Sequence, residues 1–318
     1  MREAPSTVLR AGTRGSRLSL RQTEIVRTAL RRAAPAVDLE AVVVRTAGDR
    51  APDMPLERLD GIGFFARELE AAVADGRCDF AVHSAKDLPT TLHRDLCIAA
   101  FLPREDPRDV LISRSGLRLA DLPPGARVAT SSLRRMAQLL HLRPDLTVVP
   151  IRGNVDTRLA KLDDGACDAL CLAGAGVVRL GWADRVTEWL DPEVMLPAAA
   201  QGALAVEVRR ADRGLIDLLG RIDSAATREA VTAERAFIAR LGSGCRQPAG
   251  ALAAVHGSRI SLEGLVARED GRAVRRHRAG GPVGAAEWLG MSAADHVLAH
   301  VGDLIGVVAH TRAQEVEQ

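Results

Sequence analysis

Short apolar runs alternate along the chain with amphipathic segments of helical spacing, and this alternation restricts the fold more than any other feature. Residues 8–11, 41–44 and 80–82 are apolar runs typical of buried strands. A segment with apolar residues at helical spacing follows the first run, and a second such segment, over about 64–74, precedes the third run. Strands and helices in such alternation form βαβ units around a mainly parallel sheet. The sequence therefore predicts an α/β fold.

A charged segment at 104–109 interrupts the pattern, and we interpret it as a junction between two α/β lobes. A strand at 202–208 is expected to return to the first lobe, and from about residue 224 the pattern predicts a small α+β domain. In the second lobe we predict strands at 110–112, 128–129, 148–151 and 169–173 and helices at about 132–142 and 154–162. The predicted division is domain 1 over 1–102 and 203–222, domain 2 over 103–202 and domain 3 over 223–318.

The composition argues against several classes of protein. Lys and Arg total 43 against 41 for Asp and Glu, and a net charge of +2 argues against a bulk nucleic-acid binder. Tyr is absent and there are only 5 Phe and 3 Trp, so base-stacking platforms are not expected. No run approaches the roughly 18 apolar residues of a membrane span, and no signal peptide is apparent. We expect a cytoplasmic protein without nucleic-acid or membrane partners.

The cysteines suit a reducing compartment, because their number, 5, is odd and they are scattered. Cys167 and Cys171 share one apolar run, where four residues of strand span about 13 Å, too far to hold one metal ion. We expect no metal site. Cys245 lies between Gly244 and Arg246 after a predicted helix. It is either a small buried hydrophobe or an accessible thiol, favoured as thiolate by the adjacent cation, that carries a covalent group.

The apolar run at 80–82 ends abruptly in the polar residues His83, Ser84, Lys86 and Asp87. Open α/β sheets bind ligands beyond the carboxyl ends of their strands. The group is therefore either part of a ligand site or an ordinary polar loop in which Asp87 caps a turn. In a ligand site, a carboxylate at this position would stabilise a developing cation or move a proton.

Arginines collect where predicted strands end and helices begin. The segment 130–135 (Thr-Ser-Ser-Leu-Arg-Arg) also places hydroxyl and backbone N–H groups at a helix N-terminus, which favours anions. Any single arginine is more often a solvated surface charge, whereas a set at equivalent strand ends indicates a site for a polyanionic substrate. The set comprises Arg14, Arg134, Arg135, Arg152, Arg158 and Arg179.

Six motifs, in their order along the chain, resemble the porphobilinogen deaminase family, also called hydroxymethylbilane synthases. They are Ala-Val-His-Ser-Ala-Lys-Asp-Leu-Pro at 81–89, Arg-Glu-Asp-Pro-Arg-Asp at 104–109, Thr-Ser-Ser-Leu-Arg-Arg at 130–135, Arg-Gly-Asn at 152–154, Gln-Gly at 201–202 and Gly-Cys at 244–245. The resemblance extends from about residue 9 to at least residue 264, and the C-terminal tail matches only loosely.

The resemblance implies a transferase of tetrapyrrole biosynthesis, the pathway to porphyrins and heme. The first two domains would be doubly wound lobes similar to those of periplasmic binding proteins, with a cleft between them. The third would carry a dipyrromethane cofactor, bound to Cys245 by a thioether. The family joins four porphobilinogen molecules head to tail on this primer with loss of ammonia, and hydrolysis then frees hydroxymethylbilane. The family also implies a monomer.

The same resemblance implies roles for individual residues. Asp87 would contact pyrrole N–H groups and stabilise the cation left when the amine departs. Porphobilinogen and the cofactor rings carry acetate and propionate groups, which a set of basic and hydroxyl side chains would hold. That set is Arg14, Ser16, Lys86, Ser132, Arg134, Arg135, Arg152, Arg158 and Arg179. His83 and Ser84 are expected to be structural supports.

The sequence departs from the family pattern at two places. Arg58 and Ile62 stand where the family often has lysines, within a segment at 50–63 that we expect to be an exposed loop. Ala47 stands where a basic residue often precedes the glycine. We therefore expect contacts between this loop and the substrate to differ from the family pattern.

Two other functions stay open at this point. A non-catalytic, two-lobed binding protein for a polycarboxylate ligand would explain the arginines but would have no need of Cys245. A transferase acting on phosphate ligands would explain the segment 130–135 but not the carboxylate of Asp87.

Overall fold

The structure is a computed structural model that describes residues 7–46, 66–242 and 248–300. The chain separates into two compact units. Unit 1 comprises Met1–Glu105 and Gly202–Arg228, and unit 2 comprises Asp106–Gln201 and Glu229–Gln318. Within the described ranges, no helix is long and apolar enough to cross a lipid bilayer.

Unit 1 is built on a five-stranded sheet. Its strands, numbered in chain order, are β1 (Thr7–Thr13), β2 (Val37–Val43), β3 (Phe80–Ser84), β4 (Leu96–Phe101) and β10 (Leu204–Arg209). They lie in the order β2-β1-β3-β10-β4. β1 is parallel to β2 and β3, whereas β10 is antiparallel to β3 and β4. The carboxyl ends of β1 and β3 therefore share one edge with the amino end of β10.

Helices pack against both faces of this sheet. They are α1 (Arg17–Ala33), α2 (Arg67–Ala74) and α6 (Arg213–Gly220). Ser16 starts α1 as its N-cap, and Leu30 of α1 packs with Phe80 of β3 in one buried cluster. The next residue of β3, Ala81, faces the other side and packs with Leu69 of α2. This alternation of apolar residues buries the sheet on both faces.

Unit 2 contains a second five-stranded sheet. Its strands are β5 (Asp109–Ser113), β6 (Arg127–Ala129), β7 (Thr147–Val149), β8 (Ala169–Ala173) and β9 (Glu188–Trp189), in the order β7-β6-β8-β5-β9. The helices that follow β6, β7 and β8 are α3 (Leu133–Leu142), α4 (Val155–Asp163) and α5 (Gly174–Arg179). β6 is parallel to β7 and β8, while β5 is antiparallel to β8 and β9. The first residue of β5 therefore lies at the edge where β6, β7 and β8 end.

A three-stranded antiparallel sheet with two helices completes unit 2. The elements are α7 (Ala225–Arg240), whose residues from Glu229 onward belong to this unit, β11 (Ala249–His256), β12 (Arg259–Ala267), β13 (Val274–Pro282) and α8 (Ala286–Ala299). Phe237 of α7 is fully buried, and a Cβ on Gly264 of β12 would collide with its ring. Glycine at this position therefore lets the helix approach the sheet closely.

The predicted fold class, α/β lobes with a small α+β C-terminal region, is confirmed. The strand expected at 202–208 is found as β10 in the sheet of unit 1. Both five-stranded sheets are mainly parallel, as expected, except that each contains one reversed strand, β10 in unit 1 and β5 in unit 2. β4, β9 and α6 were not predicted from the sequence. The loop expected at 50–63 lies outside the described residues, and the three-domain division stays a prediction.

Candidate functional site

Four residues of the predicted site lie at the edge of the unit 1 sheet where β1 and β3 end. Arg14 follows β1 directly and Ser16 caps α1, while Lys86 and Asp87 belong to a 3₁₀ turn, Ala85–Asp87, that follows β3. Because β1 and β3 are neighbouring parallel strands, the structure brings both segments to one edge. Arg14 and Lys86 are half-buried, and Asp87 is exposed.

Main-chain hydrogen bonds hold the turn that carries Asp87. The Ala85 N–H donates to the Ala203 carbonyl at 3.0 Å, and the Leu88 N–H donates to the Ala85 carbonyl at 3.3 Å. Leu88 is extended, with φ −68° and ψ 142°, as expected of a residue before proline. The backbone therefore fixes the turn, and the Asp87 carboxylate stands at the surface.

His83 and Ser84 make contacts behind this turn. The His83 Nε2 lies 3.1 Å from Oε2 of Glu207 on β10, and both side chains are buried. Gln22 of α1 donates from Nε2 to the Ser84 hydroxyl oxygen at 2.7 Å. Burial raises the pKa of the adjacent Glu70, and the negative charge of Glu207 raises it further. These contacts support the prediction that His83 and Ser84 are structural.

The other described residues of the predicted site lie at the edge of the second sheet where β6, β7 and β8 end. Ser132 is the N-cap of α3, Arg152 follows β7, and Arg158 lies on α4. Arg179 ends α5, the helix that directly follows β8, so it lies beyond this strand as expected. Because β6 pairs with both β7 and β8, the structure brings these residues and the first turn of α3 to one edge.

The first turn of α3 carries two buried arginines that share one carboxylate. Arg134 and Arg135 are 4% and 7% exposed, and Asp109 at the start of β5 is 0% exposed. Arg134 donates from Nη1 to Asp109 Oδ2 at 2.7 Å, and Arg135 donates to Oδ1 from Nε at 3.0 Å and from Nη2 at 2.8 Å. Such charge-assisted hydrogen bonds are stronger than neutral ones. The protein itself therefore holds both guanidinium groups in place.

The cluster keeps its charges at neutral pH. Burial raises the pKa of the Asp109 carboxyl, but Arg134 and Arg135 outweigh burial and hold that pKa well below its usual range. Burial lowers the pKa of Arg135, yet Asp109 outweighs burial and raises it above the ordinary value. Burial raises the pKa of the neighbouring Cys171 thiol to about 12, so this thiol stays neutral. Two cations and one anion leave one positive charge in excess.

The motif at 152–154 forms the tight connection from β7 to α4. Gly153 has a φ of +109°, and a Cβ there would lie 2.8 Å from the Thr157 Cβ, so glycine is required. The Gly153 carbonyl accepts a hydrogen bond from Arg158 Nε at 2.8 Å. Arg152 and Arg158 are both half-buried. The turn thus orients Arg158 back toward the strand end that carries Arg152.

Asp109 and Gln201 are site residues to which the sequence analysis gave no role, although both lie in the motifs that carry the resemblance. Gln201 donates from Nε2 to Asp109 Oδ1 at 2.9 Å and to the Pro107 carbonyl at 2.8 Å. Two sequence features could have indicated this cluster: an aspartate at the start of an apolar strand, and two adjacent arginines at the start of a later helix. Their pairing requires the fold, because Asp109 and Arg134 are 25 residues apart.

Cys245 belongs to the segment 243–247, which lies outside the described residues. The described chain resumes at Pro248, and Gly250 on β11 lies against Arg134, since a Cβ on Gly250 would be 3.2 Å from Arg134 Cδ. In the ranges that the structure describes, no group of His, Cys, Asp and Glu side chains is arranged to hold a metal ion.

Two family models match the chain. The model described as "Porphobilinogen deaminase, dipyromethane cofactor binding domain" matches residues 9–217. The model described as "Porphobilinogen deaminase, C-terminal domain" matches residues 228–299.

Curated proteins named porphobilinogen deaminase are similar to nearly the whole chain. The one from Roseiflexus castenholzii is 50% identical over 272 residues, which cover 86% of this chain and 90% of the relative. The one from Syntrophotalea carbinolica is 45% identical over 300 residues, which cover 94% of this chain and 95% of the relative.

Solved structures of other proteins are also similar to part of the chain. The BvgS periplasmic VFT2 domain of Bordetella pertussis has a TM-score of 0.41 at 18% identity, covering 68% of this chain and 86% of its own. The methionine binding protein MetQ has a TM-score of 0.41 at 12% identity, covering 69% of this chain and 90% of its own.

Proposed function

The chain belongs to the porphobilinogen deaminase family, and on this premise we propose how its residues carry out the family's reaction. The reaction condenses four porphobilinogen molecules head to tail on a dipyrromethane primer, releases ammonia at each step and ends with hydrolysis to hydroxymethylbilane. Each pyrrole ring carries an acetate and a propionate. The observation that carries the proposal is the basic edge of unit 2, which provides guanidinium groups for these carboxylates.

The residues of unit 2 fit a dipyrromethane cofactor. The Nε–H of Arg134 is buried and has no hydrogen-bond partner in the described part of the chain, so one donor remains for a ligand carboxylate. A pyrrole ring that carries an acetate and a propionate can supply the acceptor for this donor.

The basic and hydroxyl side chains at the two sheet edges hold the carboxylates of the pyrrole rings. When bound, the dipyrromethane supplies the pyrrole carbon to which the first substrate is joined. Each charge-assisted hydrogen bond to a ring carboxylate contributes about 1.5–3 kcal/mol. The residues assigned to this role are Arg14, Ser16 and Lys86 in unit 1, and Ser132, Arg134, Arg135, Arg152, Arg158 and Arg179 in unit 2.

Asp87 acts on the substrate where charge develops. When the aminomethyl group of porphobilinogen loses ammonia, its methylene carbon and the pyrrole nitrogen share a positive charge. The Asp87 carboxylate, exposed on a turn that the main chain fixes, stabilises this charge through the pyrrole N–H. At about 4 Å and an effective dielectric of about 20, the attraction is about 4 kcal/mol.

The stoichiometry of the products tests this function. The purified protein should convert porphobilinogen into hydroxymethylbilane and release one ammonia for each substrate consumed. The variant Cys245→Ser should lose turnover, whereas Cys97→Ser, at a half-buried cysteine of unit 1, should keep it. Saturable uptake of porphobilinogen without ammonia release would instead identify a binding protein and contradict the proposal.

We propose further that the enzyme works in the cytoplasm as a monomer on this small-molecule substrate, without membrane or nucleic-acid partners. The net charge of +2 gives little electrostatic attraction to nucleic acid or to anionic lipid. Light scattering of the purified protein should give a mass near 33.9 kDa, and twice that mass would contradict the monomer.

A further inference from the structure

The carboxylate-binding role proposed for Arg134 and Arg135 does not explain why both arginines form ion pairs with Asp109. Among the residues described, it is the only carboxylate that forms an ion pair with Arg134 or Arg135. The other partners of the two guanidinium groups are main-chain carbonyls, Leu196 at 2.6 Å and Cys171 at 3.2 Å. The direction of both arginines is therefore set largely by this one side chain.

The charges of the cluster do not balance. Buried charges are normally paired, because an uncompensated charge in a protein interior is costly. Here two arginines that are 4% and 7% exposed share one aspartate, so one positive charge has no counter-ion in the described ranges. The buried Nε–H of Arg134 also lacks a partner there. Excess charge and a free donor together point to an anion that joins the cluster from outside.

The arrangement of the arginines also depends on Asp109. Consecutive residues of a helix point about 100° apart, and two guanidinium groups repel each other. The Asp109 carboxylate draws Arg134 and Arg135 together by accepting hydrogen bonds from both. Without a shared anion, helix geometry and repulsion would separate them.

Gln201 fixes the carboxylate of Asp109 in turn. It is fully buried, and it donates to Asp109 Oδ1 and to the Pro107 carbonyl. The preceding residue, Ala200, has a φ of +61°, a conformation that L-residues rarely adopt, and its N–H donates to Oε2 of the buried Glu234 at 2.6 Å. The protein thus holds a strained backbone at the point where Gln201 reaches Asp109.

We propose that Asp109 is a positioning residue that aligns Arg134 and Arg135 and leaves the pair one positive charge, matched to one carboxylate of the bound pyrrole chain. The inference rests on the proposed function, since it takes the ligand to be a pyrrole carboxylate. It goes beyond that function because Asp109 acts through the arginines and has no contact of its own with the substrate.

The variant Asp109→Asn tests this role, because it keeps the size of the side chain and removes its charge. Kinetic constants are referred to the folded, cofactor-bearing fraction, measured by thermal melting and intact-protein mass. We expect KM for porphobilinogen to rise and kcat/KM to fall by about 10- to 100-fold, the equivalent of one lost charge-assisted hydrogen bond. Asp109→Glu, which keeps the charge, should restore part of this loss. Asp163→Asn, which breaks an exposed ion pair with Arg185 in the same unit, should match the wild type.

The outcomes separate positioning from a purely structural role. If Asp109 only stabilised the fold, Asp109→Asn would lower the melting temperature and the folded fraction but leave KM and kcat of that fraction unchanged, which would overturn the proposal. If it only reduced the positive charge of the site, the variant would bind the anionic substrate more tightly and KM would fall, which would also overturn it. Should Asp109→Asn not fold, Asp109→Glu decides the question, because a displaced carboxylate should still lower kcat/KM at least about fivefold.

A measurement that needs no activity separates this proposal from the proposed function. In NMR spectra of the wild type, the Nε–H signal of Arg135, which donates to Asp109 Oδ1 and is assigned with the lysine variant, should exchange slowly with solvent. It should exchange rapidly in Asp109→Asn and stay slow in Asp163→Asn. Unchanged exchange in Asp109→Asn would refute positioning even in an active enzyme. Absent turnover with the expected exchange would refute the proposed function alone.

Discussion

Replacement of Asp87 by asparagine tests the assignment of the catalytic carboxylate. The exchange removes one negative charge and conserves the size of the side chain. Asp87 is exposed, and its turn is held by the main-chain hydrogen bonds of Ala85 and Leu88. We therefore expect the free energy of unfolding to change by less than about 0.5 kcal/mol, as for most surface substitutions. The protein should also keep its covalent cofactor.

The expected loss of activity follows from the charge that is removed. An attraction of about 4 kcal/mol between the carboxylate and the developing cation, at about 4 Å and an effective dielectric of about 20, corresponds to about a thousandfold in rate. Because this attraction arises as the amine departs, the loss should appear in kcat, with KM changed little. Steady-state release of ammonia measures both constants.

A matched substitution controls for the change of side chain. Asp121 is also exposed and also ends a 3₁₀ turn, Leu119–Asp121, but it precedes β6, whereas the site residues of unit 2 lie where β6, β7 and β8 end. The variant Asp121→Asn should have wild-type kcat. If Asp87→Asn kept kcat within about threefold of the wild type, the electrostatic role of Asp87 would be refuted.

Three further predictions concern the scaffold. Because the pKa of Asp109 is held below its usual range, its negative charge stabilises the fold above about pH 4, and this contribution is lost as the pH falls further. The urea midpoint of unfolding should therefore decline more steeply below about pH 4 in the wild type than in Asp109→Asn. Parallel declines in the two proteins would contradict this prediction. Gly264→Ala should lower the free energy of unfolding by about 1–3 kcal/mol, because the new methyl group meets the Phe237 ring. In the same denaturation assay, Gly214→Ala on α6 should raise the free energy of unfolding by about 0.5–1 kcal/mol, because there is open space around this glycine. Ser132→Ala should cost about 1 kcal/mol of stability through loss of the α3 cap, and calorimetry that shows no change would contradict that role.

The sequence predicted the elements well where a local pattern decides the structure. The strand at 169–173 is found as Ala169–Ala173, and the helix expected at 132–142 is found as Leu133–Leu142. Apolar periodicity and a serine cap specify such elements locally. Pairing direction is a tertiary property, so the antiparallel placement of β5 and β10 did not follow from the apolar runs. The edge strand β4 was not predicted, although its apolar run, Leu96–Phe101, is followed closely by Pro103.

The sequence indicated at which strand ends the residues of the candidate site lie, but not which side chains form hydrogen bonds with one another. The arginines of unit 2 were expected at equivalent strand ends, and the parallel pairing of β6 with β7 and β8 brings them to one edge. Their partner Asp109 was not recognised, because a charged residue in a charged segment is usually exposed. Its burial depends on two arginines that lie 25 and 26 residues later in the chain.

The mass of the intact protein is the decisive measurement for a covalent pyrrole primer. We expect the purified wild-type protein to carry a covalent adduct of two pyrrole units, which peptide mapping should place on Cys245, and we expect Cys245→Ser to lack both adduct and turnover. A wild-type protein of unmodified mass that nevertheless produced hydroxymethylbilane at full rate would refute the primer mechanism.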